Sequence, residues 1–420
     1  MTIRPLHSLL SALLLSGLSL ATYGQTDNVY DFDLTQDQPA YTDSIGYGYD
    51  RGTVAVSRKQ TAPAFFSVKV PEGDYKVTVT LGSKKYAGVT ALRAETRRMV
   101  VERLETKRGQ LEDVTFNVSI RTTYIDGEKT VKLKSGEPMD WGWDDKLTLE
   151  FNGSQPAVSH VHIEPHQPKA KIWLCGNSTV TDQYNEPFTS WGQMLPYWFD
   201  EEVSVENLAM SGLTTTTFIA QNRLEKIKQE VREGDYVLIE FGHNDEKDRG
   251  EGSGAWYNFT YNLRRFIDAV RPRGAKVILV TPTQRRFFDG ANLRETHGDY
   301  PEAVRTVARR EQLPLIDLTA ETTRLYIAMG EELSKSLLVH YPEGTFPWQE
   351  GALADNTHNN PFGAYEVSKL IIMGMKANGI DLVDHLRPEW QDFDPEQYDD
   401  PDAFYWPATP RYFDDKPAGN

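Results

Sequence analysis

The period of apolar and polar positions changes once along the chain. Between residues 29 and 163 the two kinds alternate in short runs, "FFSVKV", "YKVTVTL", "DVTFNVSI", "TVKLK" and "KLTLEF", parted by the turn sequences "PEGD", "IDGE" and "FNGS". A period of two sends successive side chains to opposite faces. Such runs predict half-buried strands, and several of them without a long amphipathic helix predict an all-β sandwich. Residues 91–107 are highly charged and read as either a strand pair or a loop. Beyond Pro165 and Pro168 the apolar runs "KIWLC", "VSVENL", "DYVLIEFG", "AKVILVTP" and "LPLIDL" alternate with helical patterns near residues 214–233, 256–271, 301–311 and 362–378. That alternation predicts an α/β unit whose parallel sheet is covered on both faces. In such a sheet, reactive groups gather at the carboxyl ends of the strands.

Composition sets the frame for these elements. A chain of 420 residues is too long for one ordinary core. The division expected is a secretory signal over 1–24, a β-sandwich over 27–166, the α/β unit over 169–386 and an irregular tail over 387–420. The signal is read from Arg4 and His7 ahead of the run Leu9 to Leu15 and the small-residue end "ATYG", which predicts a secreted or periplasmic protein without a membrane partner. The tail carries Trp390, Phe393, Tyr405, Trp406 and Phe413, so it is expected to pack as a strap. Cys175 is the only cysteine, which leaves no internal disulfide and a small core side chain. A net charge of −16 argues against a nucleic-acid partner, which needs a cationic surface.

Candidate chemistry starts at "KIWLCGNSTVTD", where an apolar strand stops at Gly176-Asn177-Ser178. Ser178 is either a cap for the following turn or a nucleophile. Three later pieces bear on the choice. Gly212 follows the second strand, Gly242-His243-Asn244-Asp245 ends the third, and Asp355-Asn356-Thr357-His358 precedes the last helix. A serine hydroxyl needs a base, and the base needs a partner that fixes its tautomer; the spacing of Asp355 and His358 lets one loop deliver both. The backbone N–H groups of Ser178 and Gly212 and the amide of Asn244 are candidate oxyanion donors.

These four blocks, in this order, resemble the SGNH hydrolases, also called the GDSL esterase family. "STVTD", "WGQMLP", "GDYVLIEFGHND" and "TPTQRR" are closest to its rhamnogalacturonan acetylesterases, carbohydrate esterase family 12. The resemblance implies a flavodoxin-like sheet and a secreted serine esterase that removes acetyl groups from pectin. Ser178, Asp355 and His358 would be its catalytic residues, and no metal or organic cofactor is called for. An acetylated xylan, another acetylated glycan or a non-catalytic glycan-binding role are the alternatives. The chain departs from the family at Asn177, where an aspartate is usual, and at Leu213, where arginine often stands.

Other residues keep two readings. Arg285 and Arg286 either hold a substrate carboxylate or form a surface ion pair, with Asp289 the nearest acid in sequence. His243 is a loop-orienting hydrogen-bond partner or, with Asp245 and Asp248, a metal ligand; His160, His162 and His166 divide between a solvated strand end and a metal site. Trp191 and Trp256 either pack in the core or stack on sugar. The sandwich resembles galactose-binding-like modules, so Tyr47, Tyr49 and Trp141 or Trp143 are candidates for a sugar platform, with a structural spacer as the other reading.

Overall fold

The computed structural model describes residues 28–135, 137 and 142–410; the expected signal segment, Trp141 and Phe413 lie outside them. The alternating runs form two antiparallel sheets. Their strands are β1 (Tyr30–Asp33), β2 (Tyr47–Asp50), β3 (Ala64–Lys69), β4 (Gly73–Gly82), β5 (Gly88–Ala94), β6 (Arg98–Thr106), β7 (Leu111–Ile120), β10 (Lys146–Gln155) and β11 (Val158–Pro165), with a small ribbon of β8 (Tyr124–Asp126) and β9 (Lys129–Thr130). The sheet orders are β1-β11-β4-β7 and β2-β3-β10-β5-β6. Phe32, Phe66, Val77, Phe116, Leu149 and Val161 point between them and form the sandwich core. The charged stretch 91–107 is therefore a strand pair.

The run "TVKLK" does not continue as a strand past Thr130. Val131 instead joins the apolar core of the α/β unit, and Lys134 donates to the Ser211 carbonyl at 2.9 Å. The proposed sugar platform is also corrected. Tyr49 is buried against Phe66, Tyr47 lies on Phe32, and Trp143 is buried in the α/β core beneath Arg121 and Arg223. These rings serve packing, because each finds apolar neighbours that burial rewards.

The continuous apolar runs form the parallel sheet. Its strands are β12 (Ala170–Cys175), β13 (Val203–Asn207), β14 (Tyr236–Glu240), β15 (Lys276–Val280) and β18 (Leu315–Ile316), in the order β13-β12-β14-β15-β18; β16 (Phe288–Asp289) and β17 (Asn292–Leu293) form a small hairpin. Strand β12, between β13 and β14, pairs Ile172 with Val205 on one side and Tyr236 on the other. Its Cys175 is buried, and burial pushes the thiol well above its usual pKa. One turn, α1 (Trp191–Met194), and the helices α2 (Thr215–Ala220), α3 (Arg223–Glu230), α4 (Thr260–Val270), α5 (Tyr300–Glu311), α6 (Leu318–Leu333) and α7 (Pro361–Ala377) surround the sheet. Asn222, in the left-handed region, splits the single helix expected over 214–233. Helix α6 was not expected at all; Asp317 caps it by accepting from the Ala320 N–H. A final hairpin joins β19 (Leu338–Tyr341) to β20 (Leu353–Asn359).

Residues 387–410 carry little regular structure but lie on both layers. Trp390 and Phe393 pack on the α/β core, Trp406 stacks on Arg93 with its centroid 3.7 Å from the guanidinium, and the Tyr405 hydroxyl accepts from Ser154. Among the described residues no helix is long and apolar enough to cross a membrane.

Candidate active site

The turn after β12 is made tight by its own residues. A Cβ at Gly176 would stand 2.4 Å from Val180 Cγ2 and 3.0 Å from the Glu240 carbonyl, so only glycine lets the chain turn there. Asn177, not Ser178, does the capping. Its Oδ1 accepts from the Thr179 N–H at 3.2 Å, so the amide retains the acceptor role of an aspartate. The serine hydroxyl is thereby left for another partner. Ser178 Oγ lies 2.8 Å from His358 Nε2, and His358 Nδ1 lies 2.7 Å from Asp355 Oδ2.

Asp355 is held twice. Its other oxygen accepts from the backbone N–H groups of Thr357 at 2.7 Å and His358 at 3.0 Å. Burial would raise its pKa, but hydrogen bonds and charge from His358, with those backbone donors, bring it down to about 2. The carboxylate is thus ionised and fixed in orientation. Asp355 and His358 sit within β20 rather than in the loop expected, three residues apart at the strand's bent end.

Gly212 has φ +78°, the left-handed region that an L side chain resists, which explains glycine at this point. Asn244 is tied to the same loop: its Nδ2 donates to the Leu213 carbonyl at 3.2 Å and its Oδ1 accepts from Lys247 at 3.0 Å. One bond from Nδ2 leaves the second amide hydrogen for a ligand. Leu213 is buried in the core. Asp245 adds a second tie, accepting at Oδ1 from the N–H and hydroxyl of Thr215 at 2.9 and 2.6 Å. Burial pushes its pKa up to about 6 against these hydrogen bonds. It is bound to α2, and among the described residues no group of three or more His, Cys, Asp or Glu side chains is placed to hold a metal ion.

His243 lies beside this loop with its ring edge-on to His297 at 4.7 Å, and burial drives its pKa well below the usual imidazole value. The loop is braced through its backbone, since Arg285 donates to the His243 carbonyl at 3.3 Å; both ring nitrogens are buried without a hydrogen-bond partner. On the sandwich, His160 and His162 share Asp31 at 2.8 and 2.9 Å.

Arg285 and Arg286 do not form a free pair. Arg285 is paired with Glu246 at 2.5 Å, not with Asp289. Arg286 is buried and donates to Ser334 at 2.8 Å, to Asn356 Oδ1 at 3.0 Å and to the Glu331 carbonyl, bracing the segment between Asp355 and His358. Trp191 is buried, whereas Trp256 is 46% exposed and bonded to Asp299. Glu240 was missed by sequence reasoning. It accepts from Thr179 Oγ1 at 2.8 Å and Trp191 Nε1 at 2.5 Å, directly behind the serine turn, and burial pushes its pKa up to about 7. Its signal was a lone acid inside the apolar run "YVLIEF".

A cavity of about 950 Å³ opens beside Asp355, lined by Asn185, Phe188, Phe287, Trp348, Leu353 and Asn356 among others. Phe188 presents its ring edge to His358 at 5.9 Å between centroids.

Residues 174–364 match the GDSL-like Lipase/Acylhydrolase family. The chain is 40% identical over 219 residues to the rhamnogalacturonan acetylesterase RhgT of Bacillus subtilis (strain 168), covering 51% of this chain and 94% of that one. It is 31% identical to the probable rhamnogalacturonan acetylesterase YesY of the same organism, over 52% of this chain and 98% of that one. The crystal structure of Bacillus subtilis YxiM aligns at 23% identity with TM-score 0.47, covering 84% of this chain and 99% of that chain. With its serine turn, block glycines and histidine-bearing hairpin on a five-stranded parallel sheet, the chain belongs to the GDSL-like lipase/acylhydrolase family.

Proposed function

We propose that the protein is a carboxylic ester hydrolase that removes acetyl groups from a plant cell-wall polysaccharide, with rhamnogalacturonan as substrate and Ser178, His358 and Asp355 as catalytic residues. The observation that carries this reading is the unbroken chain of polar contacts, 2.8 Å from Ser178 Oγ to His358 Nε2 and 2.7 Å from His358 Nδ1 to Asp355. Ser178 Oγ attacks the acetyl carbonyl while His358 Nε2 takes its proton. Asp355 holds the ring in the tautomer with hydrogen on Nδ1 and stabilises the imidazolium that forms. The backbone N–H groups of Ser178 and Gly212 and the free hydrogen of the Asn244 amide meet the developing oxyanion. His358 then protonates the departing sugar oxygen, and water, deprotonated by the same ring, releases acetate from the acetyl-serine.

The polysaccharide assignment is supported by the names of two relatives, RhgT and YesY, and by an aromatic-lined cavity beside Asp355. Export of the chain belongs to the same reading. The test is acetate release by purified protein from acetylated rhamnogalacturonan, other acetylated pectins and acetylxylan, beside a chromogenic acetate ester. Ser178→Ala should lower turnover on the small ester by about 10⁶, as loss of the nucleophile does in a comparable serine hydrolase. Near wild-type turnover in this variant refutes the serine mechanism. Preference for acetylxylan would keep the mechanism and change the substrate.

A further inference from the structure

The tip of the β5–β6 hairpin, Glu95 to Arg98, reaches from the sandwich into the segment that follows Ser178, and we infer that Arg97 is a positioning residue for the candidate active site. Resting on the esterase reading, the inference makes the sandwich part of the site's framework. Arg97 is fully buried, and its two terminal nitrogens, Nη1 and Nη2, bond to that one segment. Nη1 donates to the carbonyls of Gln183 at 3.0 Å and Phe188 at 2.9 Å, and Nη2 pairs with Glu186 Oε2 at 2.8 Å. Next to it, Arg98 donates to Asp182 through Nε at 3.0 Å and Nη2 at 2.7 Å. From the other side, Gln193 Nε2 donates to the Thr96 carbonyl at 2.5 Å.

Three observations give this clamp a direction. The held segment ends in the ring that faces His358: Phe188 stands 5.9 Å from it, and the next residue, Thr189, donates its N–H to the Asn359 carbonyl at 2.9 Å. The same segment, through Asn185, Glu186 and Phe188, forms one wall of the cavity beside Asp355. Finally, the hairpin tip takes an unfavourable backbone shape without glycine, with Glu95 at φ +53° and Arg97 at φ +59°. A side chain at φ above zero persists where its surroundings over-determine it, and here the side chain of Arg97 is what those surroundings use. A buried ion pair is often no more stabilising than apolar residues of the same volume; what the planar guanidinium adds is fixed geometry toward several acceptors at once. The tail closes the arrangement, with Trp406 Nε1 and the Thr409 N–H donating to the other Glu186 oxygen at 2.9 and 3.2 Å.

Arg97→Lys in the full chain tests the inference. Lysine keeps a cation opposite Glu186 but cannot reach that carboxylate and both carbonyls with a planar fork. A displacement of about 1 Å near reacting groups can cost about a hundredfold, so kcat on the small acetate ester should fall about tenfold or more, with little change in KM. The NMR resonance of the His358 ring C–H should also move, because the ring facing it has moved, while the melting transition stays cooperative. Glu186→Gln removes the carboxylate that pairs with Arg97 Nη2 and keeps the Phe188 ring, so it should shift the same resonance and lower kcat in the same direction; it decides the matter if Arg97→Lys does not fold. Unchanged kcat and an unchanged His358 resonance in a folded variant overturn the inference. The resonance is read without any turnover, so a wild-type protein inactive on acetate esters would refute the esterase reading and still leave the clamp tested.

Discussion

Replacing Asp355 with asparagine isolates one job of the carboxylate from the others. Asparagine Oδ1 can still accept from the N–H groups of Thr357 and His358, so the bend at the end of β20 keeps its 2.7 and 3.0 Å bonds. The amide nitrogen would then face His358 Nδ1 and offer it a hydrogen. That choice puts the ring hydrogen on Nε2, where it points at Ser178 Oγ instead of receiving the serine's proton. The equivalent change in a serine protease lowers kcat about 10⁴, and a similar loss is expected here on a chromogenic acetate ester. Stability gives a second number. Lowering the carboxyl pKa from 3.8 to about 2 corresponds to about 2 kcal/mol favouring the folded state. Because the folded pKa is the lower one, this contribution is present above about pH 3.8 and is lost as pH falls through about 2. Asp355→Asn should therefore unfold up to about 2 kcal/mol more easily at neutral pH, and the gap should close in acid. Denaturant titrations at several pH values measure it. A variant within tenfold of wild-type kcat would refute the role given to Asp355.

Glu240→Gln tests the buried acid behind the serine turn: with a folded pKa raised from 4.5 to about 7, its stability contribution is complete below about pH 4.5 and is lost as pH rises through about 7. The substitution should remove on the order of 3 kcal/mol of that pH-dependent loss, and equal slopes of unfolding free energy against pH in both proteins would exclude it. Gly212→Ala forces a Cβ onto φ +78° and should cost about 1–2 kcal/mol by denaturant melt, with a fall in kcat; unchanged melting and kcat would separate the glycine from the site. Arg286→Met removes the donor shared by Ser334 Oγ, Asn356 Oδ1 and the Glu331 carbonyl, although Asn356 Oδ1 keeps His340 Nε2 at 2.9 Å, so a loss of about 1–3 kcal/mol in all is expected. Kinetics should deteriorate alike on the small ester and on acetylated pectin, whereas a KM rise confined to the pectin would restore the carboxylate-binding role.

The parallel sheet was legible because both its faces are covered, which gives its strands unbroken apolar runs ending at Gly176 and Gly242. The serine turn was legible for a related reason, since Ser178 follows directly on such a run, whereas Asp355 and His358 lie within β20 and were read from their spacing and the order of the four blocks. Helix α6 was lost because threonines, poor helix formers, stand at 319, 322 and 323, and two of them, Thr319 and Thr322, occupy buried places where an apolar stripe would have shown. The hairpin at 91–107 stayed ambiguous since charge usually marks a solvated face; Arg93, Arg97 and Arg98 are buried only because acids from distant segments meet them. The aromatics of the sandwich misled in the opposite sense. Tyr49 and Trp143 have the composition of a sugar platform and the surroundings of a core, and composition does not distinguish the two.

Cys175 makes the protein its own reporter. It is the sole thiol of the chain, buried in an inner strand of the parallel sheet and held in its unreactive protonated form. A thiol reagent added to folded protein can label it only when β12 separates from its neighbours, so the labelling rate counts openings of the sheet. The turn carrying Ser178 starts at the next residue. A ligand that binds this turn in the closed sheet alone must slow labelling by the factor 1 + [L]/Kd, which turns an inert core side chain into a binding assay that needs no turnover.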